Sequence, residues 1–438
     1  MNKSVLFVSQ SFYPSVGGVS TLLLNLSRYL HKAGYNIHAI HFEMPENQSA
    51  SKKIGYKIIH HVINKSLLSD KVFQGYAKFK EVIYQHLHGL IKFQYAQIED
   101  VPGYTEYITC SELFSNKLRS VVSKENIDLV HLQDYQVLGV LSALPYGIKS
   151  IFSLHAPLLS NIDPKVSEWL MRYIRKADAV VFSVPKYSEV ANTLLDIPKS
   201  KIATIPPIID KAVMESANSS PIKTFEQFSD KTNFVTCVQR FDSKSGQLQL
   251  IESFALICKK HPNVFLVLVG GRSFTDSISN VRKNYFQEAV DLVKKLKIDD
   301  RVIFLGNVDY LNLPQIYKQS DIVVMLSKME CFGLAITEAM YHSKPVIVTD
   351  VGGLAYQVNQ GYNGFKVKPG DIKETSRLLD LLLSSSSKRR VMGHNARLFF
   401  NKLLDPDKIM PKYLDLYSSV LSKRMHEVNY DYLYNQLR

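Results

Sequence analysis

The 438-residue chain is 46% hydrophobic and 21% charged, a composition that excludes a disordered or fibrous protein and gives length enough for two globular domains. Its net charge of +13 suits small polyanions or an anionic lipid surface, but the cations are dispersed and form no run, so nucleic acid is not an expected partner. The four cysteines, Cys110, Cys237, Cys258 and Cys331, are scattered without a C-x-x-C pair, which argues against a zinc site or a disulfide framework and for reduced thiols in a reducing compartment.

In chain order, Val5–Val8 is the first predicted strand and is too short for a leader segment. A glycine-containing loop through Gly17 and Gly18 follows, then a helix over 20–31 and a strand over 37–42. Residues 71–98 read as helical, with an apolar stripe of Phe79, Ile83, Leu87 and Leu90. That stripe favours a core role over contact with an anionic membrane, although residues 51–100 carry eight Lys/Arg against four Asp/Glu. Further strands are expected at 129–132, 150–154, 179–183 and 201–205. Pro206 and Pro207, with the polar stretch 215–231, mark a domain boundary. The same grammar then restarts: strand 234–238, loop through Gly246, helix 248–260, strand 264–269. Strands at 302–305, 322–325 and 345–348 and a helix over 412–424 complete the pattern. Strand, glycine loop, helix, strand is the unit of a doubly wound parallel sheet, and its occurrence in both halves predicts an α/β protein of two Rossmann-like domains. No apolar stretch reaches the ~20 residues that cross a bilayer. A cytoplasmic protein with at most peripheral contact at the inner face of the membrane is therefore expected.

Three features point toward a diphosphate ligand. Gly17-Gly18 precedes the first helix, where bare backbone N–H groups and the helix dipole favour an anion; read alone, a tight turn explains the pair as well. Neither a G-x-G-x-x-G nor a Walker-type phosphate loop occurs, against a dehydrogenase or a P-loop kinase. Arg240 and Lys244 follow the strand 234–238, where parallel sheets bind ligands and cations stabilise a leaving diphosphate; a solvated loop is an equal alternative for that segment by itself. The sharpest feature is Glu330-Cys331-Phe332-Gly333-Leu334-Ala335-Ile336-Thr337-Glu338, which spans a loop and the start of a helix. There Glu338 can accept two ribose hydroxyls, and Glu330 can hold sugar hydroxyls or stabilise positive charge at an anomeric carbon. Each glutamate has a bland alternative, as a charge favourable to a helix N-terminus or as an exposed acid. Both together beside Phe-Gly-Leu are harder to explain so. Asp405-Pro406-Asp407 reads as a helix start with proline in its first turn rather than as a metal site.

This last segment resembles the E-x7-E signature of the family 4 retaining glycosyltransferases, of GT-B fold. The resemblance extends through Tyr13-Pro14 with Gly17-Gly18-Val19, His31 to Tyr35, Ala177 to Ser183, Ile205-Pro206-Pro207 with Asp210, Arg301 to Gly306, Pro345-Val346, Gly352-Gly353 and Asn363-Gly364. It is weakest over 45–125. It implies two Rossmann-like domains facing a central cleft: an acceptor-side domain over 1–206, joined by a crossover helix at about 410–438, and a donor domain over 207–409. It also implies that a hexose moves from a UDP- or GDP-sugar to a glycan or lipid-linked acceptor in cell-surface polysaccharide assembly, without metal or cofactor. Residue by residue, Gly17 and Gly18 would approach the diphosphate, and Arg240 with Lys244 would neutralise it. The backbone of Phe332, Gly333 and Leu334 would hold phosphate and sugar, with Glu330 on the sugar and Glu338 on the ribose. Asn307 and Val308 would read the base, and His155 would lie beside the reacting sugar. Two departures stand out. Gln239 replaces a glycine usual before the arginine, and Lys244 stands one residue from the usual lysine position, now Ser245. Tyr356, in place of a usual glutamate, is read as structural. The displaced lysine leaves open a binding protein without turnover, and the scaffold leaves open an epimerase or a phosphorylase.

Overall fold

The computed structural model describes residues 3–13, 17–43, 55–216, 223–271 and 284–422. The chain divides into two compact units, one formed by 1–207 with 407–438 and the other by 208–406.

The first unit holds seven strands: β1 (Ser4–Val8), β2 (Asn36–Phe42), β3 (Ile58–Ile63), β4 (Leu129–Gln133), β5 (Lys149–Ser153), β6 (Ala179–Phe182) and β7 (Ile202–Thr204). They lie in the order β3-β2-β1-β4-β5-β6-β7, every pairing parallel. The second unit has β8 (Asn233–Val238), β9 (Val264–Val269), β10 (Val302–Gly306), β11 (Ile322–Met325), β12 (Val346–Thr349) and β13 (Gly364–Val367) in the order β10-β9-β8-β11-β12-β13, again all parallel. The central strands are apolar runs buried along their length, such as Ser4–Val8 and Ile322–Met325, as sheets covered on both faces require. In each sheet the strand order reverses once, between β1 and β4 and between β8 and β11. At such a switch point the connecting loops part and leave a crevice at the carboxyl ends of the strands.

The helices are α1 (Gly18–Lys32), α2 (Asp70–Leu87), α3 (Tyr104–Lys124), α4 (Pro164–Ile174), α5 (Pro185–Leu194), α6 (Gln247–Ala255), α7 (Tyr285–Leu296), α8 (Leu313–Gln319), α9 (Leu334–Tyr341), α10 (Gly352–Gln357), α11 (Ile372–Leu383), α12 (Ser386–Phe399) and α13 (Pro406–Ser422), with shorter helical turns between them. None of the described helices is long and apolar enough to cross a membrane.

Several sequence expectations need correction. The helix expected over 71–98 stops at Leu87, where the Leu90 N–H bonds the Gln85 carbonyl at 2.8 Å and closes the last turn. Its stripe is core, with Phe79, Ile83 and Leu87 fully or almost fully buried. The strands β3 and β13 carry no clear period in the sequence and are not among the expected elements; nor is the helix α3, although Tyr107, Cys110, Phe114, Leu118 and Val121 recur at helical spacing and are buried. The polar stretch 215–231 is not all linker, because Phe225 is buried against Phe234 and Phe228 packs on Phe265. The last helix begins at Pro406 rather than 412, and residues 423 and 424 lie outside the described ones. All four cysteines are buried free thiols.

Candidate active site

The carboxyl end of β8 opens into a tight loop that Asp242 organises. Its Oδ1 accepts the Lys244 N–H at 2.9 Å, and its backbone pairs reciprocally with Ser245 at 2.8 and 3.1 Å. Asp242 Oδ2 also lies 3.9 Å from the Arg240 guanidinium. The loop ends at Gly246, with φ 72°, and a side chain there would sit 2.0 Å from the Leu326 carbonyl oxygen. Only glycine lets the loops after β8 and β11 come this close. The contact is tied further by the Lys328 N–H, which donates to the Lys244 carbonyl at 2.7 Å.

From the end of β11, Glu330 meets Lys244. The Nζ donates to Oε2 at 2.7 Å, with the two side chains only 10% and 16% exposed. The sequence reading assigned Lys244 to the diphosphate and Glu330 to the sugar, each separately; in this structure they form one buried ion pair at the switch point. Such a pair holds its geometry because the low-dielectric surroundings penalise either charge alone. Ser327 supports it, donating to the same oxygen at 3.4 Å, and Gln239 in turn donates to Ser327 Oγ at 2.6 Å. The residue that departs from the glycine usual in the resembled family thus stands at the base of a Gln239–Ser327–Glu330–Lys244 chain. Its amide oxygen is buried without a hydrogen-bond partner.

Gly333, with φ 91°, caps α9 in the left-handed region. A Cβ would lie 2.6 Å from Leu354 Cδ2 and 3.3 Å from the Met325 sulfur, so a side chain here would displace Leu354 and strain the backbone. The first N–H groups of α9 emerge from this turn with the positive end of the helix dipole behind them, an anion-binding arrangement. The turn is fixed from below by Gln357, whose amide donates to the Phe332 carbonyl at 2.6 Å, and by the Gly353 N–H on the Glu330 carbonyl at 3.0 Å. Phe332 is buried, whereas Gly333 and Leu334 are half-exposed.

Glu338 lies within α9, 3% exposed. Tyr317 on α8 donates to its Oε2 at 2.6 Å. Burial raises its pKa to about 7, against the opposing effect of the tyrosine hydrogen bond. The carboxyl is therefore poised between protonation states near neutrality. Asn307 is exposed and Val308 half-exposed in the loop after β10, and Asn307 crowds Gly271 at the end of β9.

In the first unit, Gly17 caps α1 and Gly18 is its first residue. His155 follows β5. Its Nε2 contacts Gln133 Oε1 at 2.8 Å, and its backbone N–H donates to Asp134 Oδ1 at 3.2 Å. The Gln133 amide nitrogen donates to the His131 carbonyl, which turns the amide oxygen toward His155 and places the imidazole proton on Nε2. Burial lowers the His155 pKa to about 4, so the ring is neutral at pH 7. Asp134, buried with φ 67°, has its pKa raised to about 6 by desolvation. Gln133 and Asp134 at the end of β4, like Tyr317, Asp242 and Ser327 in the second unit, escaped the sequence reading. Only Asp242 and Ser327 left a signal, in their closeness to Lys244 and Glu330.

The second unit thus places Arg240, Lys244, Glu330, Gly333 and Glu338 on neighbouring strand ends and one helix N-terminus. The first unit carries Gly17, Gly18 and His155. The family model described as glycosyl transferases group 1 matches residues 219–399, and that of glycosyltransferase family 4 matches residues 16–213. An N-acetyl-alpha-D-glucosaminyl L-malate synthase of Bacillus anthracis is 24% identical over 93% of this chain and 96% of its own. A trehalose synthase of Thermococcus litoralis is 27% identical over 69% of this chain and 74% of its own. Among solved structures, Anabaena HepE in complex with UDP and glucose superposes with a TM-score of 0.71 at 19% identity, covering 96% of this chain and all of that one. An α,α-trehalose-phosphate synthase (UDP-forming) from Burkholderia vietnamiensis superposes with a TM-score of 0.76 at 14% identity, covering 97% and 98%. The chain belongs to the group 1, family 4 glycosyltransferases and has their GT-B fold of two Rossmann-like domains.

Proposed function

We propose that the protein is a retaining glycosyltransferase that moves a hexose from a nucleoside diphosphate sugar, UDP-linked first among the candidates, to a glycan or lipid-linked acceptor in cell-surface polysaccharide assembly. The observation that carries this reading is the Lys244–Glu330 pair at the β8/β11 switch point, beside the N-terminus of α9 and in the same unit as the buried Glu338. A cation, a helix N-terminus and two carboxylates suit a ligand with a diphosphate at one place and hydroxyls on either side of it. The solved UDP and UDP-glucose complexes of the structurally similar HepE direct the first assay toward UDP-sugars.

In this reading Arg240, Lys244 and the N–H groups after Gly333 hold the diphosphate. Glu330 takes hydroxyls of the sugar, and the second oxygen of Glu338 takes the ribose. Asn307 and Val308 lie against the base, Gly17 and Gly18 approach the phosphates, and the neutral His155 faces the reacting sugar. Transfer breaks the bond from C1 to the phosphate oxygen. The acceptor oxygen forms the new bond to C1 on the same face, and its proton passes to the departing phosphate. Most of the acceleration then comes from positioning and from stabilising the leaving-group charge. The Lys244–Glu330 contact also weighs against a binding protein without turnover, since the lysine thought displaced lies beside the acid.

A panel of UDP-, GDP- and ADP-hexoses scored by thermal shift, followed by detection of released nucleoside diphosphate across varied acceptors, tests the proposal. One donor class should raise the melting temperature by mass action and release its nucleoside diphosphate only when acceptor is present. Release or epimerisation with donor alone would contradict it, as would stabilisation by none of the three classes.

A further inference from the structure

The outer face of α12 combines two features seldom found together on a solvated helix. Residues 384–404 contain five Lys/Arg and no Asp or Glu. Among the described residues, seven large hydrophobic side chains are exposed, and three of them belong to α12 or the loop bonded to it: Val391 at 58%, Leu398 at 45% and Tyr362 at 46%. Val391, His394 and Leu398 follow one another at helical spacing on a single face, and all three are exposed. Tyr362 adjoins them through its carbonyl, which accepts from the Asn395 amide at 3.1 Å. Lys388 and Arg390, both exposed, flank this ridge on opposite sides.

The inward cations of α12 serve the fold instead. Arg389 bonds the carbonyls of Leu382 and Leu383 and lies 3.5 Å from Asp321. Arg397 donates to the Tyr341 carbonyl and covers its ring. Acids on the adjacent α11 are engaged elsewhere, Asp380 by Lys260 and His261 and Glu374 by Arg377. The helix therefore buries one face on its own unit and presents, outward, an apolar ridge between cations.

We infer that this ridge is a docking face for an anionic bilayer surface. Val391, Leu398 and Tyr362 enter the boundary between headgroups and acyl chains, while Lys388 and Arg390 engage lipid phosphates. An interfacial helix needs both contributions, apolar contact to enter the boundary and charge to reach it. The ridge belongs to the second unit and is not the basic helical segment of the first unit that composition alone singled out, and it holds whatever sugar is transferred.

The test is co-sedimentation of the full chain with vesicles of phosphatidylcholine, alone or mixed with phosphatidylglycerol. The wild-type chain should bind the mixed vesicles, bind the neutral ones weakly, and release as salt screens the charge. V391D/L398D and K388E/R390E should each weaken vesicle binding by about tenfold or more, with the circular dichroism spectrum and melting temperature of the wild type retained. K294E/K295E on α7 removes the same charge from another exposed helix and should change binding by less than about twofold. Binding indifferent to phosphatidylglycerol, absent in the wild type, or lowered as much by K294E/K295E as by K388E/R390E overturns the inference. So does retention of wild-type binding in V391D/L398D. A dimer seen by sedimentation velocity and lost in V391D/L398D would assign the ridge to a second copy of the chain instead.

Discussion

Lys244 and Glu330 constrain each other. Each is nearly buried and each neutralises the other, so removing one charge strands its partner. Lys244→Ala should destabilise the second unit by about 3 kcal/mol and reduce both donor affinity and turnover. K244A/E330Q should recover part of the stability, because no buried charge is left alone, while activity stays low. Urea unfolding of the single and double variants measures this, and additive losses would remove the coupling. Glu338 gives a pH prediction. With its carboxyl titrating at about 7, the free protein holds it protonated below that pH and ionised above. Two ribose hydroxyls donate to the ionised form, so donor binding favours loss of the proton and affinity should strengthen as pH rises from 6 to 8. For folding the sign is opposite. The raised value means the folded state holds its proton at pH values where the unfolded chain has lost it, so stability falls as pH climbs through 7. Titration calorimetry of wild type and Glu338→Gln should show the slope in donor affinity for the first and a flat profile for the second.

At the scale of elements, the turn into α9 carries the most function per residue. Gly333 adopts φ 91° with Leu354 and Met325 against the place a Cβ would take. Gly333→Ala should therefore destabilise, by more than the ~1 kcal/mol that the same change gains at an unstrained position, and should weaken binding of the nucleoside diphosphate. Equal affinity in the variant would mean that the N–H groups of this turn do not hold phosphate. The same elements explain what the sequence disclosed. The runs at 5–8, 234–238, 264–269 and 322–325 were legible as strands because both faces are buried and β-branched residues fill them. The strand β3, Ile58–Ile63, was not, because two of its six residues are histidines that pair with histidines of β2, His60 with His41 at 2.9 Å and His61 with His38 at 3.0 Å. Polar residues satisfied across a strand pair leave no apolar period to read. The glutamates of the candidate site were legible from their spacing around Gly333. Their partner Tyr317 was not, because it arrives from another element and is linked to Glu338 only in three dimensions; Ser327 showed only its closeness to Glu330, and Gln239 only its departure from the usual glycine.

At the scale of the whole molecule, the first compact unit draws on two separate stretches of the chain, 1–207 and the stretch from 407 onward. The last helix, α13, supplies Tyr417 to the first unit's core. Its hydroxyl meets His131 Nδ1 at 2.7 Å, and the other ring nitrogen contacts Ser153 at 2.8 Å. Burial lowers the pKa of His131 to about 3, so the ring is neutral and needs a partner at each nitrogen. Tyr417→Phe leaves Nδ1 buried without one, a loss of about 1–3 kcal/mol, and that loss falls on the unit formed by 1–207 and 407–438. Donor binding through Arg240, Lys244 and Glu338 would stabilise the unit formed by 208–406 instead. Differential scanning calorimetry can separate the two effects. In Tyr417→Phe one transition should move down while the other keeps the wild-type shift on addition of donor. In Glu338→Gln the ligand-dependent shift should shrink with the other transition in place. If Tyr417→Phe abolished the donor-induced shift, the two units would not behave as separate cores, and the strand-switch site of the second would depend on the packing of α13 in the first.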